Sequence, residues 1–137
     1  MRRFIGSAIA FFLTFGLSAQ ELAPEVQAKF VKLLVSATGQ FGFACNNDPP
    51  LKQSLEAAGV SVAPGFKLAW AATEAEVKTL KADGRLVVVP KLQWLKLGGG
   101  VAIVDEDGKP QFYLNMGNVK ASGLTISDAI IKIAKKM

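Results

Sequence analysis

GKPQFYLNMGNVKASGLTISDAIIKIAKKM, residues Gly108–Met137, packs four local signals into the end of the chain. Gly108 closes the acidic turn Asp105-Glu106-Asp107-Gly108, which follows the apolar run Val101–Val104. Phe112 and Leu114 alternate with Gln111 and Tyr113, the period of a half-buried strand. The two runs predict an antiparallel hairpin. Asn115 is placed to cap a short helix, and Gly123 to end it in a left-handed conformation. Ser127 is placed to cap a second helix, with Ile126 and Ile131 as a hydrophobic staple across that cap. Asp128 sits in its first turn and Lys132, Lys135 and Lys136 near its end, charges that suit the helix dipole.

Upstream, the pattern alternates between helix and strand. Pro24 suits the first position of a helix, and Val26, Phe30, Leu33, Leu34 and Ala37 form one apolar face before the stop at Gly39. Phe41–Cys45 predicts a short buried strand. Asp48 and Pro49 open a helix that runs to Ala58 and ends at Gly59. Val60 and Val62 begin a second strand that Pro64-Gly65 interrupts and that Phe66, Leu68 and Trp70 resume. Thr73 with Glu76 forms a capping box, with Val77 and Leu80 facing the core. After Gly84, the β-branched run in Arg85–Val89 predicts the most buried strand of the chain. Leu92–Leu95 is a helical turn, and Gly98-Gly99-Gly100 a joint before Val101. Strands joined through helices favour parallel pairing, whereas the tight turn forces the last two strands antiparallel. The expected fold is a single α/β domain with a mixed, mainly parallel sheet of about five strands, flanking helices and a C-terminal antiparallel hairpin.

The chain has 137 residues, half of them hydrophobic, enough for one domain with a real core. Met1-Arg2-Arg3, the 14-residue apolar run Phe4–Leu17 and the small residue Ala19 predict a secretory signal peptide, residues 1–19, cut before Gln20. A spanning helix needs about 20 apolar residues, so the run is short for an anchor. Residues 20–137 are then expected to form an exported domain with no stable membrane insertion. The net charge of +5 falls to +3 when Arg2 and Arg3 are removed. The remaining basic residues are spread, without an aromatic-interleaved stripe, which argues against nucleic acid.

Candidate chemistry is sparse. There is no histidine, which removes the commonest general base and metal ligand. Cys45 is the only cysteine, so there is neither an internal disulfide nor a Cys-His nucleophile. Its apolar neighbours Phe43 and Ala44 suggest a buried thiol. Asp105-Glu106-Asp107 lacks the spacing of a calcium loop and suits a solvated hairpin tip. Gly98-Gly99-Gly100 lacks the Lys-Ser/Thr of a phosphate loop. Trp70 and Trp94 suit the core or, alternatively, a pocket wall. Asn115 suits a cap. No residue is assigned as catalytic, cofactor-binding or metal-binding, and no cofactor is expected. The expectation is a binding protein, not an enzyme. Loss of a Ser127 cap would cost about 1 kcal/mol.

The strand ending in Leu114-Asn115, the short helix, the segment Ala121-Ser122-Gly123-Leu124-Thr125-Ile126-Ser127 and the terminal apolar helix resemble the C-terminal signature of the YfiR family, small secreted proteins of Gram-negative bacteria. The resemblance covers the last third of the chain well and the middle loosely. It implies an α/β fold, no cofactor and a protein partner. That partner is an inner-membrane sensor, a diguanylate cyclase repressed through its periplasmic domain, so that cyclic di-GMP falls and biofilm formation is restrained. A homodimer is compatible with it. The alternative from the residues themselves is a small-ligand receptor with a pocket near the ends of the parallel strands.

Overall fold

The computed structural model describes residues 19–137. Met1–Ser18, and with them nearly all of the expected signal peptide, lie outside the described residues. Among the described residues, no helix is long and apolar enough to cross a membrane.

The strands are β1 (Ala19–Gln20), β2 (Gly42–Phe43), β3 (Ser61–Val62), β4 (Leu68–Trp70), β5 (Leu86–Val89), β6 (Val101–Glu106), β7 (Lys109–Leu114) and β8 (Lys135–Lys136). The helices are α1 (Pro24–Ala37), α2 (Pro49–Ala57), α3 (Glu74–Ala82), α4 (Met116–Ala121) and α5 (Asp128–Ile133), with a 3-10 turn at Leu92–Lys96. The main sheet runs β4-β5-β6-β7-β8, and β4, β5 and β6 are parallel. The β6–β7 hairpin is antiparallel, turning at Asp107 (φ 54) and Gly108 (φ 83). Two successive left-handed residues match the twist of the flanking strands. β1 pairs antiparallel with Asp105 and Glu106 of β6. β2 and β3 pair in parallel, and the bridge Ala44–Ala69 joins β2 to β4. The expected mixed, mainly parallel α/β sheet is therefore present.

Alternation along the strands gives the sheet two apolar faces. Leu86, Val88, Val101, Ile103, Phe112 and Leu114 pack against Ala28, Val31 and Leu34 of α1, Leu51 and Leu55 of α2, Val119 of α4 and Ile130 of α5. Val87, Val89, Ala102 and Val104 pack on the opposite face against Val77 of α3, Trp94 and Leu95. A strand buried on both faces needs a continuous apolar run, which Leu86–Val89 supplies.

Several sequence expectations are corrected. The interrupted strand Val60–Trp70 is two strands, β3 and β4, paired to opposite sides of β2. The chain crosses from one to the other through Ala63–Lys67. That crossing passes over Gly42, where a Cβ would lie 2.5 Å from Phe66 Cζ and 2.5 Å from the Ser61 carbonyl oxygen. Arg85 holds the crossing, its guanidinium donating to the carbonyls of Pro64 (2.6 Å) and Phe66 (3.3 Å). On α1 the buried residues are Gln27, Ala28, Val31 and Leu34, while Leu33 is exposed, because the contact stripe is rotated from the predicted one. Phe41, expected in a buried strand, precedes β2 and is exposed.

Ser127 has the extended backbone of a cap, but its side chain makes no capping bond. Its N–H instead donates to the Ala37 carbonyl (2.9 Å), which ties α5 to the end of α1. α5 stops at Ile133, and Lys135 and Lys136 form a parallel edge strand rather than a helix end. Lysines on an edge strand discourage pairing with another chain.

Two substitutions separate these effects. Gly42→Ala should lower stability by about 1–3 kcal/mol, because the carbonyl oxygen of Ser61 cannot swing away. Ser127→Ala should leave the denaturant midpoint unchanged, in place of the loss expected for a capping hydroxyl.

Candidate functional site

The connections of the sheet single out one location. From β2 the chain goes through α2 to β3 on one side, and from β4 through α3 to β5 on the other. α2 and α3 pack on opposite faces, as right-handed crossovers running in opposite directions require. β2 and β4 are neighbours through the Ala44–Ala69 bridge. The space beyond their carboxyl ends is therefore a topological switch point, where open α/β sheets bind ligands.

Cys45–Asp48 and Ala71–Thr73 follow the carboxyl ends of these strands, with α2 and α3 starting beside them. Asp48 Oδ1 caps α2 by accepting from Leu51 N–H (3.3 Å), and its Oδ2 accepts from Trp70 Nε1 (3.1 Å). Thr73 Oγ1 caps α3 by accepting from Glu76 N–H (3.2 Å). Glu76 reaches back to Ala72 N–H (2.8 Å), one residue earlier than the reciprocal bond of a capping box, and accepts from Asn47 Nδ2 (2.5 Å). Two carboxylates thus occupy the positive ends of the two helices. Cys45 is buried beneath them, its Sγ 3.7 Å from the Asp48 carbonyl oxygen. Burial pushes its thiol up to about 12, and the charges of Asp48 and Glu76 add to that. A thiol in this state is neutral at physiological pH and a poor nucleophile.

The other residues singled out by sequence lie elsewhere. Gly98–Gly100 is filled by the chain itself. Gly99 N–H donates to the Trp94 carbonyl (3.1 Å) and Gly100 N–H to that of Val87 (2.8 Å). A Cβ on Gly99 would meet Val89 and Trp94, and one on Gly100 the Leu86 side chain. Those two amides are not aimed at a phosphate. Asn115 caps α4 through Asn118 N–H (3.2 Å) and also donates to the Leu95 carbonyl (3.0 Å). Trp94 is buried, with Lys91 Nζ 5.2 Å from its ring centroid. In the acidic turn, Glu106 accepts from Lys135 Nζ (2.6 Å) and from the Tyr113 hydroxyl. The bond from Lys135, and then that from Tyr113, holds the Glu106 carboxyl below the usual carboxylate range. Lys135 and Tyr113 are raised by the same contact.

Exposed apolar side chains mark a second surface. Phe41 is 90% exposed, Ile133 58% and Leu33 51%. Leu33, Ser36 and Ala37 of α1 face Ser127, Ala129 and Ile130 across a shallow hollow of about 290 Å³. Ile133 lies one helical turn beyond Ala129. A smaller hollow of about 250 Å³ is lined by Ala63, Gly65 and Phe66. Sequence periodicity missed these exposures because Leu33 and Phe41 carry the residue types of a core. The convergence of Asp48 with Glu76 had one local signal, a cap following each of two strands.

The sequence matches no protein-family model and no curated protein. Among the solved structures similar in fold, two cover nearly all of this chain. One is the ABC domain in complex with L-Trp from Streptococcus pneumonia, with a TM-score of 0.61 and 11% identity, covering 96% of this chain and 64% of that one. The other is a conserved domain protein from Vibrio cholerae o1 biovar eltor str. n16961, with a TM-score of 0.63 and 12% identity, covering 96% and 62%. This chain spans less than two thirds of either structure. Both likenesses show an α/β domain.

Cys45 should label slowly with a thiol reagent in the native protein and quickly after denaturation. The melting temperature should be the same with and without reductant. Fast native labelling would place the thiol at the surface.

Proposed function

We propose that this chain is an exported regulatory protein that works by binding, resembling the periplasmic YfiR repressors of a membrane diguanylate cyclase. The observation that carries this reading is the exposed apolar surface on α1 and α5. Leu33 and Ile133 stand in solvent beside a hollow one wall of which is Ser127, Ala129 and Ile130. That wall belongs to the C-terminal stretch Gly108–Met137 on which the resemblance rests. Grouped exposed apolar side chains are a feature of contact surfaces. Export would put the surface beside the periplasmic domains of inner-membrane sensors. Control of such a sensor requires tighter binding to one of its states, since equal binding shifts nothing.

A small-ligand receptor is the second reading. The switch point between β2 and β4 favours it, and so does the similar fold that was solved in complex with L-Trp. A ligand there would have to compete with Asp48 and Glu76 for the helix ends.

A photo-crosslinking residue placed at position 33 or 133 of the exported chain should capture an inner-membrane protein. Leu33→Glu should abolish capture without changing the fold. Deleting the gene should raise cyclic di-GMP, and restoring the exported domain should lower it. An unchanged level with no membrane protein captured would sink the partner reading and leave the switch-point crevice to be tested with small ligands.

A further inference from the structure

Among the described residues, Asp105 carries a buried side-chain oxygen, Oδ1, with no hydrogen-bond partner. A buried acceptor left unpaired costs free energy, so such an atom calls for an explanation. Its position in the sheet suggests one. Asp105 is the register partner of Gln20 in the antiparallel β1–β6 pair, and Glu106 that of Ala19. The expected cleavage falls between these two residues of β1. Hydrolysis of the Ala19–Gln20 amide consumes one water and leaves a carboxylate on Ala19 and an amine on Gln20. At neutral pH that amine takes up a proton.

We infer that processing completes this corner of the fold: the new α-ammonium of Gln20 pairs with Asp105 Oδ1, a latch that the uncut chain cannot form. Cross-strand partners stand about 4.5–5.5 Å apart at Cα, so a freely turning ammonium reaches the facing carboxylate. In the uncut chain the same nitrogen is an amide with one proton, which ladder pairing uses. Cleavage removes the Ala19–Glu106 rung of β1 and supplies a charged donor at the next one. A charge-assisted bond is stronger than the neutral bond it joins.

The other charges near β1 have partners or lie in solvent. Glu106 is held by Lys135 and Tyr113. Glu21 lies 3.9 Å from Lys91. On β7, Pro110 faces Asp105 and Lys109 faces Glu106. Glu25, in the first turn of α1, is exposed. Asp107, in the turn, is exposed as well, which leaves Asp105 as the buried acceptor without a partner among the described residues.

The inference rests on the cleavage expected before Gln20 and is independent of the partner. An α-amine ordinarily titrates near pH 8, and pairing raises its folded-state value. A raised value stabilises the fold below the ordinary pKa, and the gain is lost as pH rises through the folded one.

The exported chain is purified, its intact mass is measured, and its denaturant midpoint is followed from about pH 6 to about pH 10. The same chain, semisynthetic and acetylated at Gln20, serves as the neutral control. The mass should correspond to Gln20–Met137. The amine-bearing chain should lose roughly tenfold in folding equilibrium constant, relative to the acetylated one, across that range. Asp105→Asn should remove the difference. Superimposable profiles for the amine-bearing and acetylated chains would overturn the latch. A mass showing Gln20 cyclised with loss of ammonia would overturn the latch and leave the cleavage site intact. Any other starting residue would overturn both.

Discussion

A side chain at position 42 would occupy the space of the Phe66 ring and the Ser61 carbonyl oxygen. The absence of one lets Ala63–Lys67 carry the chain from one side of β2 to the other. That crossing puts β3 and β4 on either side of β2 and so sends α2 and α3 to opposite faces. The switch point, the two apolar layers and the central place of β5 all follow from it. Arg85 secures the crossing by donating to the carbonyls of Pro64 and Phe66.

Polar groups that could perform chemistry are largely engaged with the chain's own backbone. Asp48 and Glu76 cap helices and hold Trp70 and Asn47. Asn118 donates to the carbonyls of Leu95 and Gly99 and secures the glycine joint. Apolar side chains show the reverse imbalance. Phe41, Leu33 and Ile133 face solvent. Exposed apolar side chains beside the α1–α5 hollow are the feature on which the proposed binding role rests.

The stretch Gly108–Met137 contributes to both sides of that balance. Its first half is the hairpin strand β7, buried on one face by Phe112 and Leu114, with the Phe30 ring of α1 tilted against Phe112 at 5.1 Å. Its second half closes α1 from the side through Ser127 and then returns to the sheet as β8. Gln111 links the two halves, donating through Nε2 to the carbonyls of Phe112 (3.0 Å) and Ile133 (2.9 Å). The terminal helix is therefore short because its last residues are drawn into the sheet edge, where Met137 N–H reaches the Leu114 carbonyl (3.0 Å).

Local rules were enough for the sequence to determine the helix starts at Pro24, Pro49 and Glu74, the caps at Asp48, Thr73 and Asn115, the Asp107-Gly108 turn and the buried strand Leu86–Val89. Each depends on residues within about one helical turn or one hairpin of each other. The mixed, mainly parallel α/β sheet followed from their order. Tertiary structure alone decided which side of β2 each neighbour takes, because strand order depends on contacts distant in sequence. It also decided the fates of Leu33 and Phe41, since periodicity identifies apolar residues but not whether another element arrives to cover them. Ser127 and Lys135 show the same limit: their local patterns suit a longer capped helix, and pairing with Ala37 and Tyr113 overrides them. The meeting of Asp48 with Trp70, and of Asn47 with Glu76, required α2 and α3 to start at one crevice, and only the crossing at Gly42 brings them there.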